Sequence, residues 1–196
     1  MESRAFGRLS QRSDHPNTIN PMLPEFAKSL YERFEREGIP LLLAGGWAVC
    51  HHGYSRLTLD VDWVCPRSRE ADAIALMGRL HFDKCTEGMA SRFKNRKYTA
   101  FPYVDLIWVD DATFGKMAEP DQDSKEKPRV PVINFQALLA MKLYALKDGE
   151  SRDHKDLLDI RSLLRYGHTH IPEEEFKSLC ERYAELGAYE KIRSNT

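Results

Sequence analysis

The sequence predicts an α+β fold of α/β-like character: a small mixed β-sheet with helices packed on it, followed by a C-terminal helical region. Three observations predict it. Residues 40–44, 59–64 and 104–109 read as strands, the first a continuous apolar run and the second an alternation. Helical stripes precede and separate these strands. The last third of the chain carries helical periodicity alone.

Each element has a local reason. Residues 1–22 are polar, with Pro16, Pro21 and several Ser and Asn, and read as a loosely ordered lead-in. Pro24 opens a helix in which Phe26, Leu30 and Phe34 recur at fours beside Tyr31; Gly38 and Pro40 stop it. Residues 40–44, bounded by Pro40 and Gly45-Gly46, fit a buried strand. Residues 47–52 form a short helix ending at Gly53. Residues 69–80 carry Ala71, Ile74, Ala75, Leu76 and Leu80 as a helical stripe. Residues 82–100 are ambiguous; Arg92, Lys94, Arg96 and Lys97, with Phe93 and Tyr98, read as a solvated basic hairpin arm. Residues 110–130, with Pro120 and Pro128, read as a loop. Asn134 is a good N-cap for a helix over 137–147. A second helix covers 153–164, and Pro172 starts a third that runs through Phe176, Leu179 and Tyr183 to Gly187. The expected organisation is a lead-in over 1–22, a core over 23–130 and a helical region over 131–196. No internal repeat or low-complexity tract is present.

Composition excludes several classes. The 196 residues are 42% hydrophobic and 30% charged, which suits one globular domain. A chain of this size buries roughly 70% of its unfolded surface. Lys+Arg (29) against Asp+Glu (30) leaves a formal charge of −1, unlike a basic nucleic-acid wrapper or an acidic disordered tail. No apolar run approaches the ~20 residues of a membrane span, and the N-terminus lacks a signal-peptide core. Cys50, Cys65, Cys85 and Cys180 are scattered without a CxxC pair. The expectation is a cytoplasmic protein whose cysteines are mostly small core residues.

The chemistry concentrates in three places. Asp60 and Asp62 sit at i, i+2 in an apolar strand, so alternation puts both on one face with Cα atoms roughly 6.5–7 Å apart. Two such carboxylates repel and are costly to desolvate, and a divalent cation relieves both problems. An edge strand with both aspartates facing water is the alternative. Asp105 also lies within a strand pattern, where aspartate is disfavoured. Three carboxylates converging from neighbouring strands can hold two metal ions for an in-line phosphoryl displacement; a solvent-facing Asp105 is the alternative. Finally, Gly45-Gly46 between the first strand and a helix permits close backbone approach to phosphate, or is a plain turn. Walker A and GxGxxG sequences are absent, which removes P-loop and Rossmann readings.

Gly45-Gly46, Gly53, Arg56 and Thr58 leading into Asp60-Val61-Asp62, with Asp105 later, resemble the DNA polymerase β-type nucleotidyltransferase superfamily. Lys142 in Leu139-Ala-Met-Lys142-Leu-Tyr-Ala, then Lys155-Asp156-Leu157-Leu158-Asp159-Ile160 preceded by Arg152, look most like bacterial AbiEii-like, toxin–antitoxin-related members. The resemblance covers about residues 40–165. It implies a small mixed sheet with helices on one face and a helical region closing a nucleotide cleft. It further implies that Asp60, Asp62 and Asp105 are catalytic and bind two Mg²⁺, with Mn²⁺ as a substitute. Asp105 would orient or deprotonate the attacking hydroxyl. Gly45, Gly46, Arg56, Thr58, Lys142, Lys155 and Asp156 would bind the NTP. The pattern departs from the family in two ways: Trp47 stands where a hydroxyl residue is usual, and Gly46 lies 14 positions before Asp60.

The implied function is Mg²⁺-dependent transfer of an NMP from an NTP to a hydroxyl on RNA, a protein or a small molecule. A toxin with a cognate antitoxin is included in that reading. The competing readings are a non-catalytic nucleotide- or partner-binding module of the same fold, and an aminoglycoside-type small-molecule nucleotidyltransferase. Other residues have plainer readings. His51-His52 is expected to be exposed at a helix end, and His154 at the surface. Trp47, Trp63 and Trp108 are expected in the core. Lys155 and Asp159 have the i, i+4 spacing of an ordinary helix pair. The basic run at 92–98 could instead guide an RNA acceptor.

Overall fold

A computed structural model describes residues 25–86, 88–97, 102–121, 129–148 and 150–194. The lead-in, Pro24, Tyr98 and Pro128 lie outside the described residues. In chain order the elements are α1 (Glu25–Arg36), β1 (Leu42–Leu43), α2 (Gly45–His51), β2 (Val61–Pro66), α3 (Glu70–Arg79), β3 (Phe82–Lys84), β4 (Ala90–Asn95) and β5 (Val104–Val109). Then come α4 (Asp111–Met117), α5 (Phe135–Ala145), α6 (Glu150–Tyr166), α7 (Glu173–Tyr183) and α8 (Ala188–Arg193).

The five strands form one mixed sheet in the order β1-β2-β5-β4-β3. Only β2 and β5 pair in parallel; the other neighbours are antiparallel. Alternation sorts the side chains. Val61, Trp63 and Cys65 of β2 and Val104, Leu106 and Trp108 of β5 face one side, where Phe26, Leu30 and Phe34 of α1 and Leu76 and Met77 of α3 cover them. Val64 faces the other side, against α2 and the apolar stripes of α5 to α8. Helices therefore flank the sheet on both faces, not one, because Val64, Ile107 and Val109 make the second face apolar beyond Asp62 and Asp105.

The local chemistry explains the helix starts. Asn134 accepts a hydrogen bond from the Ala137 amide at 2.8 Å and caps α5 as expected. Within 110–130, expected to be loop, residues 111–117 are helical because Asp110 accepts from the Thr113 amide at 2.9 Å and so caps α4. The basic run lies on the second strand of an antiparallel hairpin, β3–β4, and just beyond it; Lys94, Arg96 and Lys97 are exposed as expected, whereas β4 also pairs with β5, Phe93 is buried on the α1 side and Arg92 is partly buried. His52 is also buried, its Nε2 2.9 Å from the Ile133 carbonyl oxygen, because the chain after α4 returns over the end of α2. His51 and His154 are exposed; Trp63 and Trp108 are buried, and Trp47 packs against the core partly buried. Cys50, Cys65 and Cys180 are buried, while Cys85 is exposed. Among the described residues, no helix is long and apolar enough to cross a membrane.

Candidate active site

Strand register builds a charged row across the sheet. Asp62 of β2 pairs with Asp105 of β5, and Asp105 pairs in turn with Arg92 of β4. Neighbouring strands lie about 4.8 Å apart, so the order is carboxylate, carboxylate, guanidinium on one face. Arg92 engages Asp105 in a fork, Nε to Oδ1 at 2.8 Å and Nη2 to Oδ2 at 2.7 Å. Its Nη2 also lies 3.3 Å from Asp60 Oδ2. Asp60 precedes β2 by one residue, in a bend, yet shares this surface with Asp62. The hydrogen bond to Asp105 and the surrounding carboxylate charges outweigh desolvation and hold the Arg92 guanidinium firmly protonated.

Asp62 is placed against Gly45. A Cβ on Gly45 would lie 1.8 Å from Asp62 Oδ2, and Gly45 has φ +56°. A Cβ on Gly46 would lie 2.4 Å from Thr58 Oγ1 and 3.0 Å from Arg56 Nη1. Gly45-Gly46 is thus required by the close approach of three other cleft residues, besides the turn itself. No side chain caps the first turn of α2, which these glycines form. Burial pushes the Asp62 carboxyl above the usual carboxylate range; Asp105 and Asp60 push the same way, and Lys142 and Lys155 partly offset them.

A second network forms the helical wall. Arg56 forks onto Asp159 of α6, Nε to Oδ1 at 2.6 Å and Nη2 to Oδ2 at 2.8 Å. Lys142 Nζ of α5 lies 2.5 Å from Asp156 Oδ1 and 2.7 Å from Asp159 Oδ2. Asp159 is 1% exposed, and Arg56 and Lys142 only 13% and 10%. Asp159 therefore serves Arg56 and Lys142, not Lys155, because the fold brings buried cations to it while Lys155 stays exposed.

The two networks face each other across a cleft of about 510 Å³. Asp60, Asp62, Asp105, Gly45, Gly46, Arg56, Thr58, Lys142, Lys155 and Asp156 all line it. Arg92 also lines it and was missed as part of the carboxylate group; its signal was the Arg92-Phe93-Lys94 alternation, which turns Arg92 away from buried Phe93. Leu57 and Leu59, both exposed, form an apolar lip, and Leu138, Met141 and Ala145 of α5 an apolar wall.

The donors are hard carboxylate oxygens, a set suited to Mg²⁺ or Mn²⁺. Among the described residues no donor hydrogen-bonds the Asp62 carboxylate, whose charge burial penalises, so a cation would relieve it. The trio is not already gathered as a cage: among the described residues no group of three His, Cys, Asp or Glu side chains is arranged to hold a metal ion. Arg92 stands between Asp60 and Asp105 instead.

No protein-family model matches the chain, and no curated protein matches it. Solved structures do. ANT(2'')-Ia in complex with adenylyl-2''-tobramycin superposes with a TM-score of 0.60 at 16% identity, covering 87% of this chain and 96% of that one. The lincomycin-bound lincosamide antibiotic adenylyltransferase LnuA gives 0.50 at 16% identity, covering 74% and 99%. An antigenic nucleotidyltransferase-like protein from Paracoccidioides brasiliensis gives 0.52 at 18% identity, covering 87% and 89%. With its mixed five-stranded sheet and packed helices, the chain has the α+β fold of these nucleotidyltransferases.

Proposed function

We propose that this protein transfers a nucleoside monophosphate from an NTP to a hydroxyl acceptor and releases pyrophosphate. One observation carries the reading: the ten residues that the sequence singles out, from both halves of the chain, line one cleft. The acceptor oxygen attacks the α-phosphorus, the bond to the bridging oxygen of the β-phosphate breaks, and pyrophosphate leaves. Asp105 orients the hydroxyl and takes its proton. Gly45 and Gly46 admit the triphosphate close to the backbone of α2. Exposed Lys155 meets the phosphates directly; Arg56 and Lys142, held by Asp159 and Asp156, shape the wall that receives them. Divalent cations held by Asp60, Asp62 and Asp105 would, when bound, neutralise charge on the entering and leaving oxygens.

A small-molecule acceptor is the second reading, favoured by the likeness to ANT(2'')-Ia and LnuA. The cleft disfavours a polyamine, because four aspartates and four cations line it in balance (Asp60, Asp62, Asp105, Asp156; Arg56, Arg92, Lys142, Lys155). The AbiEii-like branch, its toxin role and a cognate antitoxin are carried by residues 139–160 alone.

The test supplies each α-³²P-labelled NTP with Mg²⁺ to the wild type and Asp60→Asn, offering total tRNA, tobramycin, lincomycin or the protein itself. Label on an acceptor, pyrophosphate release and loss of both in Asp60→Asn are expected. Nucleotide binding with no transfer to any acceptor would favour the non-catalytic module.

A further inference from the structure

Arg92 occupies an unusual position for a residue of a cation-binding cleft. It is a permanent cation forked onto Asp105 and touching Asp60, two of the three carboxylates that would receive a metal. A carboxylate with both oxygens in a guanidinium fork has its best lone pairs taken, and two cations at such range repel. Without Arg92, three aspartates would face one another across adjacent strands, with no positive charge in the row.

Unlike Arg56, Arg92 has room to leave. Its side chain is 38% exposed, against 13% for Arg56. A second seat lies beside it: its guanidinium carbon is already 5.3 Å from the centre of the exposed Tyr103 ring, over which Lys94 Nζ also lies at 5.7 Å. The ring face offers a cation partial compensation for a lost ion pair.

We propose that Arg92 is the resident counter-ion of the aspartate trio: it neutralises Asp60 and Asp105 in the metal-free protein and competes with the divalent cation for them. This rests on the reading of Asp60, Asp62 and Asp105 as metal ligands. Cation entry withdraws the fork from Asp105 and frees that carboxylate for the acceptor hydroxyl. Binding of the metal and release of Arg92 are then one linked equilibrium: the metal and the Arg92 fork each weaken the other by the same factor.

The test uses Mn²⁺ alone, its binding followed by electron paramagnetic resonance, together with thermal melting in chelator and in Mn²⁺. Wild type, Arg92→Gln and Arg92→Lys are compared. Arg92→Gln is expected to bind Mn²⁺ about tenfold more tightly than wild type, a typical coupling between linked sites. In chelator it is expected to melt below wild type, and Mn²⁺ is expected to narrow the gap. Arg92→Lys keeps the charge without the fork and falls between them, which keeps the test usable if the Gln variant folds poorly. Mn²⁺ binding to Arg92→Gln no tighter than to wild type would overturn the counter-ion proposal while leaving the metal reading intact. Equal melting in chelator would also overturn it. Absence of Mn²⁺ binding in every variant would defeat the metal reading, and the proposal with it.

Discussion

The floor and the helical wall of the cleft are built from the same residue types and reach opposite states. On the wall, two cations (Arg56, Lys142) meet two carboxylates (Asp156, Asp159) at 2.5–2.8 Å, nearly out of solvent. On the floor, Arg92 reaches two of the three carboxylates, forking onto Asp105 and touching Asp60, while Asp62 receives no hydrogen bond among the described residues. A buried, balanced network ties segments together, and removing one member strands the others' charge. A partly exposed group of three carboxylates with one guanidinium keeps uncompensated negative charge. The comparison separates what holds this cleft from what would act in it.

The sharpest break is Asp60→Asn. It removes a floor charge without touching the wall, so NMP transfer is expected to fall about 10³–10⁴-fold, equivalent to about 4–5.5 kcal/mol of barrier. Unchanged circular dichroism and melting would accompany the loss; a collapsed fold would deny the distinction between floor and wall.

Asp159→Asn does the reverse. It leaves Arg56 and Lys142 undercompensated in a buried setting and is expected to cost about 3–5 kcal/mol, read by chemical denaturation. A cost under about 1 kcal/mol would mean that the wall behaves like a surface ion pair.

Asp62 gives the floor a pH signature. Burial first, then Asp105 and Asp60, raise its folded-state pKa above the ordinary value. The folded chain therefore holds this proton more tightly than the unfolded chain. The contribution is fully present below the ordinary carboxylate pKa and is lost as pH rises through the raised one. Asp62→Asn should flatten that part of the chelator-treated stability profile; an unaltered profile would show that Asp62 is not strained by its neighbours.

Asp110→Ala is the smallest change and a control for both regions. Removing the cap of α4 is expected to lower the melting temperature slightly, with neither metal nor nucleotide behaviour altered.

What was legible in the sequence follows the range of the forces. Asp62 was readable because strand alternation is local, and the Asn134 cap because it spans three residues; Asp60, read in the same strand, lies in the bend that precedes β2. The α4 helix was lost to the polar, proline-containing stretch around it, although Asp110 and Thr113 carried the capping signal. Asp159 was read by helical spacing as a partner for Lys155, whereas its partner Arg56 lies 103 positions away. Arg92 reached the carboxylates through strand register, which depends on strand order and is not written in any one segment. Likewise, helices on both faces follow from the central placing of β2 and β5, which no single strand pattern reveals.

The most direct measurement is Mg²⁺-dependent stabilisation by each NTP in wild type, Asp62→Asn and Asp159→Asn. A ligand that binds only the folded state at a hundredfold excess over Kd adds about 2.7 kcal/mol. Asp159→Asn is expected to start from a lower stability but keep the Mg²⁺-dependent increment, and Asp62→Asn to be at least as stable as the wild type but lose the increment. An increment retained in Asp62→Asn and lost in Asp159→Asn would contradict this, placing the cation and nucleotide on the wall rather than the floor.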